Sequence, residues 1–145
     1  ISLSLMNTKM HLHHASIPLP TDQRYALNMF FTDYFPGTDK WKVALAMSYA
    51  DGLPFSTPHN ELGRNSFRAP AYKRVDLGMS YRLLDNTKQE SKLIKNIWLG
   101  MECLNLFGIS NVNSYYWITD VTNVQYAVPN YLTGRMLNAR LTVDF

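Results

Sequence analysis

Apolar and polar residues alternate along six segments of the chain, and the alternation is strictest at its end. Within residues 137–145, Leu137 and Leu141 fall on one side, whereas Asn138 and Arg140 fall on the other. Side chains that point in turn to opposite faces indicate a β-strand with one apolar and one polar face. The other five segments are residues 1 to about 9, about 24 to 35, 41 to about 50, 72–84 and 95–107.

Helical patterns are missing from the chain. No window of comparable length has apolar residues at helical spacing, so we expect very little helix. No run of residues approaches the ~18 consecutive apolar positions that a transmembrane helix needs. The predicted fold class is therefore all-β, an antiparallel up-and-down sheet of about six strands whose setting the alternation leaves open.

The two faces of the predicted sheet differ. One carries large aliphatic and aromatic side chains, and the other mixes small residues with isolated charges. In a soluble barrel or sandwich the apolar face would point inward, whereas in a lipid-embedded barrel it would face acyl chains and the charges would line a wet lumen. The alternation alone is consistent with both. The charged residues are Lys42, Arg74, Asp76, Arg82, Glu102, Arg140 and Asp144.

Two further features favour the lipid-embedded barrel. Trp41 and Tyr49 lie at the two ends of one apolar stripe, where amphipathic rings suit the two membrane–water boundaries. The connections also alternate in length, as in outer-membrane barrels with short periplasmic turns and long external loops. Phe145 is then expected at the periplasmic end. The short connections are residues 35–40 and 85–92, and the long ones are 10–23, 51–71 and 108–133.

Composition agrees with a membrane-facing sheet. Charged residues make up 17% of the 145 residues, below the ~25% that is usual for a soluble domain. The net charge of +3 is too small and scattered to predict binding of nucleic acid. Six strands cannot close a membrane barrel, since the smallest have about eight, and an open sheet would leave unpaired edges in lipid. We therefore expect the 145 residues to be one part of a longer polypeptide that supplies the other strands.

Several stretches resemble a known family. The most specific are ECLNLFGISNVNSYYWITDV and QYAVPNYLTGR, supported by PTDQRYALNMFFTDYFPGTDKWKVAL and by GLPFSTP followed by FRAPAYKRVDLGMSYRLL. They resemble the carboxy-terminal end of TonB-dependent outer-membrane receptors, in the Bacteroidota-type, SusC-like subgroup with long final loops rich in Asn and Tyr. The resemblance covers nearly the whole chain and is weakest over residues 1–19.

The resemblance implies a Gram-negative outer-membrane barrel of about 22 strands, filled by an amino-terminal plug. This chain would form roughly the last six strands. The implied function is the import of a nutrient, such as a siderophore, glycan, peptide or cobalamin, without a cofactor. The implied partners are outer-membrane lipid and lipopolysaccharide, the rest of the barrel and its plug, the TonB system and a surface lipoprotein. Phe145 resembles the signal that the barrel-insertion machinery reads.

Candidate substrate contacts lie on the charged face and in the last long loop. The charges either line a polar substrate path or form a structural network that holds the wall and contacts the plug. The aromatic residues of the loop suit sugars, peptides or other amphipathic ligands, or they pack the loop against itself or a lipoprotein. The candidates are Arg74, Asp76, Arg82, Glu102 and Arg140 on the face, with Lys42 beside them, and Tyr115, Tyr116, Trp117, Tyr126 and Tyr131 in the loop.

Two weaker signals concern metals and lipopolysaccharide. His11, His13 and His14 are residues that bind transition metals, but no Cys or carboxylate lies within several residues to complete a site, so no metal site is predicted. Lys73 and Arg68 are candidates for contact with lipopolysaccharide phosphates.

Catalysis finds no support in the sequence. It contains no nucleophile elbow, phosphate loop or paired-Cys metal motif, and Cys103, the only cysteine, is expected to be a small lipid-facing hydrophobe. The protein is therefore not expected to be an enzyme. Two alternatives remain, a soluble up-and-down barrel that encloses a small ligand and an outer-membrane enzyme with a Ser–His pair.

Overall fold

The six alternating segments form the six strands of one sheet in the computed structural model, which describes residues 1–12, 15–58, 64–86 and 93–145. In this sheet the strands are β1 (Ser2–Leu5), β4 (Tyr25–Tyr34), β5 (Trp41–Ala50), β8 (Tyr72–Asp85), β9 (Asn96–Leu104) and β12 (Met136–Asp144), in that spatial order. Each strand therefore pairs with its neighbour in the meander, and the β1–β4, β8–β9 and β9–β12 pairs are antiparallel.

Hairpins occupy the three long connections, which the sequence pattern had predicted as loops. They pair β2 (Lys9–Leu12) with β3 (Ala15–Pro18), β6 (Pro54–Phe55) with β7 (Phe67–Arg68), and β10 (Val112–Thr119) with β11 (Gln125–Tyr131). The last hairpin forms because β10 is rich in aromatic and β-branched residues, which favour extended backbone. Among the described residues no helix is long and apolar enough to cross a membrane.

Strand ends differ from the predicted bounds where a polar group draws the backbone away. The first segment was predicted to run to about residue 9, but β1 ends at Leu5. The Thr8 amide donates instead to the Asp22 carboxylate at 2.6 Å. The fifth segment was predicted to run to residue 107, but β9 ends at Leu104, because Asn105 has a left-handed φ of 52° and turns the chain.

The chain forms two compact units. The first consists of Ile1–Asn28, Ser48–Lys73 and Ser110–Thr133, and it contains all three hairpins of the long connections. The second consists of Met29–Met47, Arg74–Ile109 and Gly134–Phe145, and it contains the turn after β4 and the whole of β9 and β12.

The predicted division of the faces is confirmed in the second unit. Met79 pairs with Met101, and Met101 with Ala139, whereas the next row along the strands is Ser80, Gly100 and Arg140. Neighbouring rows point to opposite sides of a sheet, so apolar and polar side chains are separated across three strands.

Among the residues that the structure describes, the hydrophobic side chains do not form a buried core. Met101 is 61% exposed and Leu141 is 64% exposed. The described part of the sheet ends at β1 on one side and at β12 on the other, without closing on itself. The compact apolar core expected of a soluble barrel is therefore not seen in these residues.

Candidate functional site

The charged face of β8, β9 and β12 carries the predicted polar residues in register. Glu102 is paired with Gly78 and Asn138, and Trp98 is paired with Arg82 and Thr142. In successive rows the central strand, β9, thus contributes an acidic residue (Glu102), a small residue (Gly100) and an aromatic residue (Trp98). Gly100 is buried, and a Cβ built on it would lie 3.3 Å from the Ser80 Oγ.

Ionic partners are found for five of the seven predicted charges on this face. The Arg74 Nε donates to the Asp76 carboxylate at 2.8 Å and 2.9 Å, and the Arg140 guanidinium lies 3.6 Å from Glu102. Arg82 is less exposed than these, and its guanidinium pairs with Asp39 and Asp85. This pairing agrees with the structural network that was one of the two interpretations of these charges. A substrate contact at these residues stays a prediction.

An open concavity of about 320 Å³ lies over the same face, within the second unit. Two cations sit against its aromatic rings: the Lys42 Nζ is 5.8 Å from the centre of the Tyr34 ring, and the Arg82 guanidinium is 5.4 Å from the centre of the Trp98 ring. Such contacts add a modest cation–π attraction. The concavity is lined by Tyr34, Lys42, Ser80, Trp98, Gly100, Arg140 and Thr142.

Aromatic side chains divide between the two faces of the β10–β11 hairpin. Trp117 is paired with Ala127, and Tyr116 with Val128. Because neighbouring residues of a strand point to opposite faces, Tyr115 and Trp117 share one face and Tyr116 lies on the other, where it is 62% exposed. Three of the aromatic residues predicted together as candidate contacts therefore belong to two separate surfaces.

Tyr115 and Trp117 line a cleft in the first unit. The Tyr115 ring stacks on Phe55 of β6 with 4.6 Å between ring centres and 26° between planes, and Phe55 contacts Phe67 of β7 at 5.8 Å. The cleft has a volume of about 320 Å³ and also includes Asn113 and Ser114. The sequence pattern missed Phe55, because β6 and β7 are only two residues long.

Arg68 holds the segments that support this cleft. Its guanidinium pairs with the carboxylate of Asp22, donates to the carboxylate of Asp51 at 2.9 Å and donates to the carbonyl of Gly52 at 3.0 Å. Asp22 is only 1% exposed. The hydrogen bond from the Thr8 amide and the Arg68 guanidinium lower the pKa of Asp22, although burial acts in the opposite direction.

One tight turn precedes the β10–β11 hairpin in the chain, and another joins its two strands. Asn105, buried, donates to the Ile109 carbonyl at 2.9 Å and accepts from the Ile109 amide at 3.0 Å. Asp120 begins the β10–β11 turn, where hydrogen bonds from the Thr122 hydroxyl and the Val124 amide lower the pKa of its carboxyl. These hydrogen bonds show that both polar side chains build turns. Both residues also belong to a stretch that carries the family resemblance.

The cations predicted to contact lipopolysaccharide differ in their availability. Arg68 is committed to internal partners, and only 18% of its side chain is exposed. Lys73 is exposed, with its Nζ 5.9 Å from the centre of the Tyr49 ring. We therefore retain Lys73 alone as a candidate contact with lipopolysaccharide.

The described part of the chain contains no group of three or more His, Cys, Asp or Glu side chains arranged to hold a metal ion. His11 lies in β2, whereas His13 and His14 lie outside the described residues. Cys103 is a free thiol, paired in register with Leu77 and Leu137 on the apolar face as predicted.

Comparisons with known proteins give no independent assignment. No family model, no curated protein and no solved structure matches the chain. The resemblance to TonB-dependent receptors therefore stays a proposal, carried by the residues and geometry described above.

Proposed function

We propose that this chain is the carboxy-terminal wall of a TonB-dependent receptor in the outer membrane of a Gram-negative bacterium. The rest of the parent polypeptide supplies the plug and the remaining strands. The intact receptor captures a nutrient at its external loops and passes it inward when the TonB system displaces the plug. This chain contributes wall, loops and the closing strand, and has no enzymatic chemistry of its own.

The observation that carries the proposal is the apolar face without a core. Removing one large aliphatic side chain from water is worth about 1.5–3 kcal/mol, and Leu99, Met101 and Leu141 all remain exposed. A sheet with such a face needs an apolar environment over its whole width. Lipid acyl chains provide that environment, whereas the opposite, ion-paired face suits a water-filled lumen.

Aromatic pairs at the ends of the apolar face support the same orientation. In the second unit Trp41 lies 4.6 Å from Tyr81, and in the first unit Tyr25 stacks on Tyr49 at 5.5 Å. All four residues belong to long strands of the main sheet. Rings of this kind favour the boundary between acyl chains and water.

The connections support an outer-membrane orientation as well. The turn after β4 is closed by hydrogen bonds from Phe35 to Trp41 and from Thr38 to Phe35, whereas each of the three long connections carries a hairpin. Short turns on one side and long structured loops on the other are typical of outer-membrane barrels. The edges at β1 and β12 then need pairing with further strands, because hydrocarbon does not satisfy free backbone groups.

A pair of neighbouring residues on β8 tests the orientation. Met79 and Ser80 are adjacent and belong to opposite rows of the sheet. In the full receptor with Cys103→Ala, a spin label at Met79→Cys should be accessible to oxygen dissolved in lipid. A label at Ser80→Cys should be accessible to a water-soluble nickel chelate.

Two results would contradict the proposal. One is recovery of the receptor as a stable monomer in plain buffer, which favours a soluble ligand-binding barrel. The other is the reverse pattern of accessibility, with the label at Met79 shielded from lipid and the label at Ser80 shielded from water.

A further inference from the structure

We propose that Lys73, together with the stacked rings of Tyr25 and Tyr49, binds the phosphate group of a lipid in the outer leaflet of the membrane. This inference rests on the proposed function, because it requires the apolar face of the sheet to lie against lipid. It extends that function by assigning a specific lipid contact to three residues of the first unit.

The three side chains form a row across neighbouring strands. The rings of Tyr25 on β4 and Tyr49 on β5 stack with 5.5 Å between their centres and 28° between their planes. The Lys73 Nζ on β8 lies 5.9 Å from the centre of the Tyr49 ring. Leu5 of β1 is paired in register with Tyr25 and extends the row by one strand. Two aromatic rings and one ammonium group therefore lie side by side.

Lys73 belongs to the apolar side of its strand. It precedes Val75 and Leu77 by two and four positions in β8, and Tyr49 follows Met47 by two positions in β5. Residues at even spacing in a strand share a face. A cation on a face that contacts lipid is costly in the hydrocarbon and is tolerated near its boundary, where a long lysine side chain reaches the headgroups.

The row lies where the long connections leave the sheet. Tyr25 is the first residue of β4 and follows the β2–β3 hairpin in the chain, whereas Tyr49 and Lys73 flank the connection that carries β6 and β7. In the proposed orientation these are the external ends of the strands. Tyrosine rings favour the boundary between acyl chains and water, so the row is expected at the level of the outer-leaflet headgroups.

The charge of Lys73 calls for an anionic headgroup. Within residues 1–12, 15–58, 64–86 and 93–145, no carboxylate forms an ion pair with Lys73. Asp51, two residues after Tyr49, pairs with Arg68 at 2.9 Å. A lipid phosphate supplies the missing counterion, since a lysine ammonium group binds phosphate oxygens through its three donors. The tyrosine hydroxyls are further donors for the same oxygens.

The site is ordered before a lipid binds. The side chain of Asn111 accepts from the Lys73 amide at 2.9 Å and donates to the Lys73 carbonyl at 2.8 Å, which fixes the backbone below the ammonium group. The Tyr49 ring attracts the Lys73 side chain through a cation–π contact. Order of this kind lowers the conformational cost of binding.

The test uses the full receptor that contains this chain, purified in detergent and titrated with phosphorylated lipid A or with its dephosphorylated form, with bound lipid counted by native mass spectrometry. We expect the phosphorylated form to bind more tightly. Lys73→Gln should weaken its binding by about fivefold, and Lys73→Arg should retain it. Lys42→Gln is the matched control, because the Lys42 Nζ also lies 5.8 Å from the centre of a tyrosine ring but on the charged face. The control should leave lipid binding unchanged.

Folding of each variant is monitored by its heat-dependent migration in gels. Equal binding of the two forms of lipid A would overturn the inference, as would equal losses in Lys73→Gln and Lys42→Gln. Competition by inorganic phosphate at the same concentration as the lipid, or a zero-length crosslink from Lys73 to a protein carboxylate, would also overturn it. Any of these results with the label at Met79 still accessible from lipid leaves the transport proposal intact. A label at Met79 that is shielded from lipid overturns both.

Discussion

Asn111 pairs with the backbone of Lys73 as a neighbouring strand would. Its side-chain oxygen accepts from the Lys73 amide at 2.9 Å, and its side-chain nitrogen donates to the Lys73 carbonyl at 2.8 Å. Asn111 is itself buried. One side chain thus satisfies both backbone groups of a residue within β8 and ties the start of the last hairpin to that strand.

Replacing Asn111 by Ala should destabilise this attachment. The change removes two hydrogen bonds to the Lys73 backbone, each worth about 0.5–1.5 kcal/mol, so protection of the Lys73 amide from hydrogen exchange should fall markedly. Asn113→Ala is the control, because Asn113 is exposed and exposed substitutions usually change stability by about 0.5 kcal/mol or less. Equal protection in the two variants would show that the Asn111 bonds do not hold the hairpin.

Replacing Arg68 by Ala should open the loops of the first unit. The change leaves the Asp22 carboxylate buried without its cation, an arrangement that proteins tolerate poorly. We expect faster proteolytic cleavage of residues 51–71 while the amount of receptor in the membrane stays the same.

Arg24→Ala is the matched control, since the Arg24 guanidinium lies 3.9 Å from Asp51 and is largely exposed. Exposed ion pairs contribute little, so loop cleavage in this variant should match the unmodified receptor. Faster cleavage in both variants would mean that net charge, rather than the bonds of Arg68, protects the loops.

Acid should open the same loops. The pKa of Asp22 is lowered from its ordinary value of 3.8, so its stabilising effect is complete above that value and is lost as the pH falls through the folded pKa. Hydrogen exchange at the Thr8 amide, corrected for the intrinsic rate, should therefore accelerate below about pH 4. In Asp22→Asn this acceleration should disappear, and its persistence would assign the transition to another group.

Gly52 should not tolerate a side chain. A Cβ at this position would overlap the carbonyl oxygen of Ala69, whose amide donates to Leu53 at 3.0 Å. Gly52→Ala should therefore separate β6 from β7 and alter the shape of the neighbouring cleft. Gly134→Ala offers a control, because a Cβ there meets nothing within 4 Å. Unchanged fluorescence of Trp117 in Gly52→Ala would contradict the expectation.

Phe145 should matter for assembly rather than for stability of the folded wall. Its side chain is exposed, so Phe145→Ala removes few contacts among the described residues. We expect less folded receptor in outer-membrane fractions, quantified by immunoblotting, with Phe145→Tyr restoring the amount. Normal levels in Phe145→Ala would argue against a role in insertion.

The main sheet was predictable because its information is local. Alternation assigns Ser80 and Met79 to opposite faces with no knowledge of their partners, and the register of β8 with β9 bears this out. The order of the six strands follows the chain, so the nearest predicted strand is also the true neighbour. Long-range pairing, which is difficult to read from sequence, was not needed.

The contacts that support the candidate cleft were not predictable, because they join residues that are far apart in the chain. Arg68 and Asp22 are 46 positions apart, and no periodicity connects them. Phe55 and Phe67 meet across strands too short to show a pattern. The β10–β11 hairpin left a signal in the aromatic and β-branched residues of β10, but Pro129 and the bulge at Asn113 interrupt the alternation.

The exact two-residue period of the sheet makes its assembly sensitive to misalignment. Arg140 faces Gly100, and its neighbour Leu141 faces Leu99. If β12 shifted by one position against β9, the apolar and polar side chains of the strand would exchange faces. In the proposed setting Arg140 would then point into hydrocarbon at a cost of about 2–4 kcal/mol near the bilayer centre. The membrane would therefore disfavour the shifted register and select the correct one.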